Sequence, residues 1–282
     1  MKALFKGGTA PYKIILPFLF AVILLSPLSS HSDNPVALPI VPAESFPDTF
    51  LNQDFSYDIS FFWFTKAAEA HFYFKKGERP SEYRAVLEAE TMGFVGWLTH
   101  YRRHRYVSVM ELVDTGKGRM LRSKYFSQEI VKGEKSEVTE FILDYSKRTM
   151  VTRESKPGQD VVVSKGIIPE NVTYNDVLSA YYNIRGGVFG VKRKGDTFKI
   201  DTMPRRGVSH ITVSIADEEV EKERRADMED AHFLVRMDVD RRLFRQKDGI
   251  VWVWADREFV PVMGEVRDVV FFGDVRGYKK VQ

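Results

Sequence analysis

The sequence predicts a mainly β protein in which one large antiparallel sheet carries a single packed helix. Apolar residues recur with a period of two in about a dozen runs, which is typical of strands with one buried and one solvated face. Only residues 176–185 have clear helical spacing. A chain of 282 residues, 44% hydrophobic and 29% charged, suits one large β domain and excludes wholesale disorder or a multi-span membrane protein.

Residues 1–32 have the three-part pattern of a secretory signal peptide. Lysines without any acid precede an apolar run over residues 14–25, and small polar residues follow it up to Ser32. The apolar run is shorter than the ~20 residues that a spanning helix needs. The sequence therefore predicts export, with cleavage after Ser32. A retained N-terminal anchor is the alternative, and in that case this segment is the only expected membrane contact.

Residues 33–50 follow as a predicted extended linker, because four prolines fall between Asp33 and Asp48. The predicted domain then occupies residues 51–282. Its first three apolar–polar runs, which start at Phe55, Ala68 and Tyr83, are joined by short connections and predict an antiparallel meander.

The inner face of this meander is the candidate ligand site. It combines bulky aromatic side chains with alanines, a composition that suits either a packed core or a surface that holds an apolar ligand. Its members are Phe61, Trp63, Ala68, Ala70, Phe72, Phe74, Ala85, Leu87 and Ala89. Both interpretations stay open at this point.

Further strands are predicted along the rest of the chain, and two segments interrupt them. The strands lie at 105–112, 120–128, 137–145, 149–155, 160–164, 197–203, 208–217, 233–240, 250–255 and 259–272. Residues 92–100 are apolar without alternation, which fits one helical turn or a buried loop. Asp176 is the expected N-cap of the one clear helix, and Gly186 and Gly187 end it. The acidic and basic run 217–230 predicts a solvated loop or edge.

Composition excludes several classes of function. The leader holds three of the 42 basic residues and none of the 39 acids, so the rest of the chain is balanced and lacks the net field that attracts nucleic acid. The absence of cysteine excludes disulfides, thiolate metal sites and lipid attachment through an N-terminal cysteine.

No catalytic, cofactor or metal site is predicted. The sequence lacks the glycine–serine nucleophile elbow, the paired-histidine zinc motif and a strand–glycine–helix phosphate loop. His100 and His104 lie on a predicted strand, where residues four apart are about 13 Å from each other and cannot share a metal ion. With Arg102, Arg103 and Arg105 around them, they predict a solvated basic strand end, and as a surface patch the same cluster could touch lipid phosphates.

The helix carries a family resemblance. Its pattern, Asp-x-Leu-Ser-Ala-aromatic-Tyr-x-x-Arg over residues 176–185, resembles the hallmark helix of bacterial exported proteins grouped as domain of unknown function 3108. The strand that starts at Phe55, the residues 67–70 and the segment 91–106 are similar to other parts of that family, so the resemblance covers roughly residues 50–280. The matching helix residues are Asp176, Leu178, Ser179, Tyr181, Tyr182 and Arg185.

The resemblance implies a periplasmic or cell-envelope protein of a Gram-negative-type bacterium, with no established activity. By analogy it implies an incompletely closed, curved antiparallel sheet like that of the lipoprotein carriers LolA and LolB, with the helix on its concave side. In the helix we expect structural roles: Asp176 caps, Tyr181 and Tyr182 pack, and Arg185 pairs with a strand carboxylate.

The expected function is therefore a non-enzymatic envelope protein that binds a lipid or another apolar ligand in the concave face of its sheet. The alternative is a structural or scaffolding protein that pairs with an envelope protein partner through a sheet edge. A fold shared with carriers does not decide between them.

Overall fold

The computed structural model describes residues 42, 44–116, 118–190, 192–205, 208–224, 231–239, 248–269 and 273–280. The predicted signal peptide at 1–32 and most of the predicted linker lie outside these residues. Within them the chain forms a fourteen-stranded antiparallel sheet that is not closed into a barrel, with few helices. The predicted mainly β fold with a packed helix is confirmed.

The strands follow one another along the chain, and the connection between β8 and β9 contains the helix of residues 177–185. They are β1 Asp54–Phe61, β2 Phe64–Lys76, β3 Glu82–Thr91, β4 Arg103–Asp114, β5 Arg119–Lys132, β6 Lys135–Asp144, β7 Thr149–Ser155, β8 Val162–Ile167, β9 Thr197–Arg205, β10 Val208–Ile215, β11 Phe233–Asp238, β12 Ile250–Ala255, β13 Pro261–Val269 and β14 Gly273–Lys279. The helices are α1 Gly93–Thr99, α2 Val177–Arg185 and α3 Glu218–Glu223, with a 3-10 turn at Asp48–Phe50.

The sheet consists of two meanders that meet at its middle. From the middle of the sheet, strands β1 to β8 follow one another towards one edge, and strands β14 to β9 follow one another towards the other edge. The two halves join where β1 pairs with β14, with Tyr57 opposite Lys279 and Phe61 opposite Val275. In the described residues, β8 and β9 are thus the two outer edges of the sheet.

One face of the sheet carries the main core, and α2 lies on it. Leu178 and Tyr182 of the helix are fully buried there with side chains from both meanders, such as Phe72 of β2 and Val251 of β12. The alternation of each strand explains this burial, because every second side chain points to the same face.

The opposite face carries a smaller core under the second meander. It contains Trp252, Trp254, Leu234, Val262 and Met263, with Ala216 at its border. As the period of β12 predicts, its two tryptophans lie on this face while Val251 and Val253 lie in the main core.

Several details differ from the sequence predictions. Residues 44–50 form turns rather than an extended linker, and Phe46 and Phe50 are buried in the main core. The predicted strand 259–272 is β13, and the separate strand β14 was not predicted. Residues 218–223, expected to be a loop or edge, form α3.

The predicted solvated basic strand end is wrong for two of its members. Arg102 and His104 are buried, and Arg102 Nε donates to His104 Nε2 at 3.0 Å. The other ring nitrogen of His104 lies 3.0 Å from the hydroxyl of Tyr106. Burial and the Arg102 charge hold the pKa of His104 well below its usual value, so this imidazole is neutral.

Candidate functional site

Most of the sequence-predicted ligand face is part of the main core. The buried members are Ala68, Ala70, Phe72 and Phe74 on β2 and Ala85, Leu87 and Ala89 on β3. Across the two strands Phe74 faces Ala85, whereas Ala70 faces Ala89 and Phe72 faces Leu87. Phe61 is only half-buried at the end of β1, and Trp63 is exposed in the turn between β1 and β2.

Aromatic side chains of the protein occupy the space above this face. The ring centroid of Tyr182 lies 4.3 Å from that of Phe74 and 5.6 Å from that of Phe72. Tyr181 also contacts Phe72, with centroids 5.4 Å apart, and Phe50 contacts Tyr182 at 5.3 Å. The alanines therefore give room to the rings of α2 and of the segment before β1.

The N-terminus of α2 is tied to the sheet by its capping residue, as predicted. Asp176 Oδ1 accepts hydrogen bonds from the backbone N–H groups of Leu178 and Ser179 at 2.8 and 3.0 Å. Its second oxygen accepts a bond from Ser108 Oγ of β4 at 2.6 Å. The carboxyl group is buried, and this desolvation raises its pKa above the usual value although the bonds oppose the shift.

Two further contacts hold the helix along its length. The amide of Asn183 donates to the carbonyl of Leu121 and accepts from its N–H, at 2.8 and 2.9 Å, so it pairs with β5 like a strand neighbour. Arg185 donates to the side-chain oxygen of Gln53 at 2.7 Å and to the carbonyl of Glu258 at 3.2 Å. The carboxylate that it reaches, that of Glu258 at 4.0 Å, lies in the turn between β12 and β13 and not on a strand as expected.

The most unusual surface feature lies at one end of the sheet, and we call it the aromatic patch. It joins the turn between β1 and β2 to α1 and the residues after it. Each of its six side chains is between 54% and 79% exposed: Phe62, Trp63, Phe94, Trp97, Leu98 and Tyr101. Large apolar side chains gathered in this way usually mark an interaction site.

Ring contacts make the aromatic patch continuous. Phe64, at the start of β2, bridges its two parts: its centroid lies 5.6 Å from that of Trp63 and 6.0 Å from that of Phe94, the latter in a stacked arrangement. Phe94 in turn contacts Trp97 at 5.7 Å. The patch is therefore one surface rather than a set of isolated exposed residues.

The way in which α1 sits on the sheet forces its apolar side chains outwards. Val95, Gly96 and Thr99 form its buried side, and Thr99 Oγ1 lies 2.7 Å from Thr91 Oγ1 of β3. A Cβ on Gly96 would lie only 2.8 Å from the carbonyl oxygen of Thr91, so only glycine permits this close approach. The small and polar residues face the sheet, and the aromatic ones face solvent.

From the sequence, only Trp63 of this patch was assigned to a ligand site and the other five residues were missed, although a signal was present. Residues 94, 97 and 98 are spaced as i, i+3 and i+4, which is the stripe of an amphipathic helix, and Tyr101 follows after the helix has ended. Such a stripe ordinarily faces a core. That it faces outwards here depends on the small side of α1, which the pattern alone does not identify.

Cationic side chains lie beside the aromatic patch. Arg103 begins β4, and Lys132 and Lys135 stand opposite each other at the turn between β5 and β6. We call these three residues the basic rim. The N–H of Gly133 donates to the carbonyl of His100 at 3.3 Å, so this turn touches the end of α1.

Two kinds of feature are absent from the residues that the structure describes. In those residues no three His, Asp or Glu side chains are grouped so that they could hold a metal ion. The described part of the chain also has no helix that is both long and apolar enough to cross a bilayer.

Comparison with known proteins gives one match. The family model described as "Protein of unknown function (DUF3108)" matches residues 56–279, which is most of the chain. No curated protein and no solved structure matches it.

Proposed function

The chain belongs to the DUF3108 family, and from this premise we propose that it is a non-enzymatic protein of the bacterial cell envelope that binds lipid-type apolar ligands. The proposed contact is the aromatic patch and not the face of β2 and β3 that the sequence suggested. The basic and apolar leader, which lies outside the described residues, supports export to the periplasm.

The observation that carries the proposal is the exposure of six large apolar side chains in one continuous patch. Fully burying one such side chain contributes about 1.5–3 kcal/mol. Covering three of them contributes about 4.5–9 kcal/mol, and each buried CH₂ group of an acyl chain adds about 0.8 kcal/mol, against an association cost of at least about 4 kcal/mol. An acyl chain suits this surface because it needs no directional partner.

The face of β2 and β3 is a weaker candidate because α2 covers it. A ligand there would have to displace Tyr181 and Tyr182 from Phe72 and Phe74 and to break the bonds of Asp176 to the sheet. We therefore treat α2 as a structural element rather than as a lid.

Tryptophan fluorescence tests the proposal directly, because Trp63 and Trp97 are exposed while Trp252 and Trp254 are buried. We expect a blue shift when protein recovered from the envelope of bacteria expressing the full chain is titrated with lysophosphatidylcholine below its micelle-forming concentration. The double variant Phe94→Ser/Leu98→Ser should weaken binding at least tenfold. Val163→Ser/Ile167→Ser, which alters equally exposed residues of β8, is the matched control.

Two outcomes would contradict the proposal. One is the absence of saturable binding by the wild type. The other is binding that is unchanged in the Phe94→Ser/Leu98→Ser variant but is lost in Ala70→Leu, since the ligand would then occupy the face of β2 and β3 under α2.

The second candidate function is scaffolding through a sheet edge, and β8 favours it. In the described residues β8 pairs only with β7, and Val162, Val163 and Ile167 are exposed along it, with exposed Val161 directly before it. Exposed edge strands accept a further strand from a partner. If this function holds, Val163→Lys/Ile167→Lys abolishes cross-linking to an envelope partner in cells while lysophosphatidylcholine binding stays unchanged.

A further inference from the structure

We propose that the aromatic patch and the basic rim together dock this protein on a bilayer that contains anionic phospholipids. The inference rests on the proposed function and adds the chemistry of the partner. It also places the membrane contact on the folded domain rather than on an uncleaved N-terminal segment.

The topology brings the required groups to the same end of the sheet. In an antiparallel meander every second connection lies at the same end. The turn between β1 and β2, the connection that contains α1, and the turn between β5 and β6 are three such connections. The aromatic patch occupies the first two, and two members of the basic rim border the third.

The residue types of the patch suit the interface between lipid and water. Tryptophan and tyrosine combine an apolar ring with a polar group and concentrate at the headgroup level of bilayers. Trp63, Trp97 and Tyr101 supply such rings, and Phe62, Phe94 and Leu98 supply purely apolar surface that can enter the acyl region. The apolar side chains of α1 therefore need to enter the bilayer only to the depth reached by a helix that lies in the membrane interface.

The charges beside the patch favour an anionic partner. Lys132 and Lys135 face each other across the hairpin, and Arg103 of the neighbouring β4 stands opposite Val131, next to Lys132. Burial is the main cause of the lowered pKa of Lys132, and the charges of Arg102 and Lys135 add repulsion to it. Acidic neighbours are present too: Glu134 lies in the same turn, and Glu90 stands opposite Arg103.

Lipid phosphates would relieve this repulsion. Each Lys or Arg that reaches an anionic membrane surface strengthens binding roughly fivefold. A bilayer also accommodates an apolar surface made of turns and a short helix without any matching groove. For these reasons charge and shape together favour a membrane over a protein partner for this surface.

Vesicle sedimentation tests the inference with the same envelope-derived protein. We expect binding to vesicles of phosphatidylglycerol and phosphatidylethanolamine to be at least tenfold tighter than binding to phosphatidylcholine vesicles. Lys132→Gln/Lys135→Gln should reduce binding to the anionic vesicles about tenfold or more and leave binding to phosphatidylcholine unchanged. Phe94→Ser/Trp97→Ser should reduce binding to both.

The control variant is Lys75→Gln/Lys147→Gln, which removes two exposed lysines at the other end of the first meander. It should bind anionic vesicles as the wild type does. Equal loss in the control and rim variants would overturn the proposed docking surface, since attraction would then come from overall charge. Thermal melts of all variants should coincide within a few degrees.

The outcomes also separate this inference from the proposed function. If lysophosphatidylcholine still shifts the tryptophan emission but no vesicles bind, docking on a bilayer is wrong and the proposed function stands. If vesicles of both compositions bind equally, the role of the basic rim is wrong. If neither the single-chain lipid nor any vesicle binds, the proposed function fails with the inference.

Discussion

Ser108 of β4 donates a 2.6 Å hydrogen bond to Asp176, and through it the N-cap of α2 is fastened to the middle of the first meander. Both residues are buried. The same carboxyl group thus serves the first turn of the helix and the strand beneath it, which a solvent-exposed cap cannot do.

We predict that Asp176→Ala lowers the free energy of unfolding by about 3 kcal/mol, more than the ~1 kcal/mol typical of a lost cap. The larger cost follows because the variant leaves the Ser108 hydroxyl and two helix N–H groups buried without their acceptor. Urea unfolding measures it. Asp176→Asn keeps an acceptor for the helix N–H groups and should lose less than half as much free energy of unfolding. An equal loss in the two variants would show that the cap geometry is not the cause.

Enlarging the alanines under α2 should destabilise the fold. Ala70 and Ala85 are buried, and the neighbouring face is covered by aromatic rings, so Ala70→Leu or Ala85→Leu should lower stability by about 1–3 kcal/mol through overpacking. Thermal melts check this. Thr149→Leu, at an exposed position of β7, serves as the control and should melt like the wild type. Unchanged melting of both alanine variants would reveal free space on this face.

Gly186, which follows α2, is expected to tolerate no side chain. A Cβ there would lie 2.2 Å from the ring of buried Phe46, although the backbone φ of −76° suits any residue. Gly186→Ala should therefore cost about 1–3 kcal/mol of stability by steric conflict. Gly166→Ala is the control, because its Cβ would meet Met150 at an ordinary 3.6 Å. Adding Phe46→Leu should restore part of the loss.

Asp256 should make stability depend on pH. Burial raises its pKa to about 7, although the N–H groups of Glu258 and Val260 donate to it. Since the folded pKa lies above the unfolded value, the folded state binds the extra proton, and stability falls as pH rises from about 4 through 7. Asp256→Asn removes this dependence and keeps the acceptor. The free energy of unfolding of this variant, measured with urea and compared with that of the wild type at the same pH, should rise by on the order of 2 kcal/mol from pH 4 to pH 8. If the difference in unfolding free energy between the variant and the wild type does not change with pH, Asp256 is not the group responsible.

Local patterns were sufficient to predict the first meander and α2. The alternation of β2 and β3 determines which side chains enter the core, and the spacing of the helix, with Asp176 before it, marks its start. These features depend on residues close together in the chain, and sequence periodicity records such features well.

Features that depend on distant parts of the chain were not predicted. β14 has only Val275 and Tyr278 as large apolar residues and two glycines, so its own sequence resembles a loop. It is a strand because β1 and β13 flank it. In the same way, Arg102 and His104 look solvated in sequence and are buried because other segments cover them.

The candidate site shows the same limit. Sequence reasoning chose a face with large and small apolar residues, which the structure places under α2. The apolar stripe of α1 was not recognised as a site. Helical spacing shows which residues share a side of a helix, but not whether a sheet or solvent lies against that side. The contacts of Gly96 and Thr99 with Thr91 fix this orientation.

The pairing of β1 with β14 sets the order in which the protein can fold. Each meander consists of neighbouring strands and can assemble from local contacts, whereas the central seam needs Tyr57 to meet Lys279 from nearly the opposite end of the chain. Closing so long a loop is slow relative to forming hairpins. During synthesis one edge of β1 therefore stays without a partner strand until β14 has been made. The incomplete sheet thus exposes an edge that can pair with another molecule.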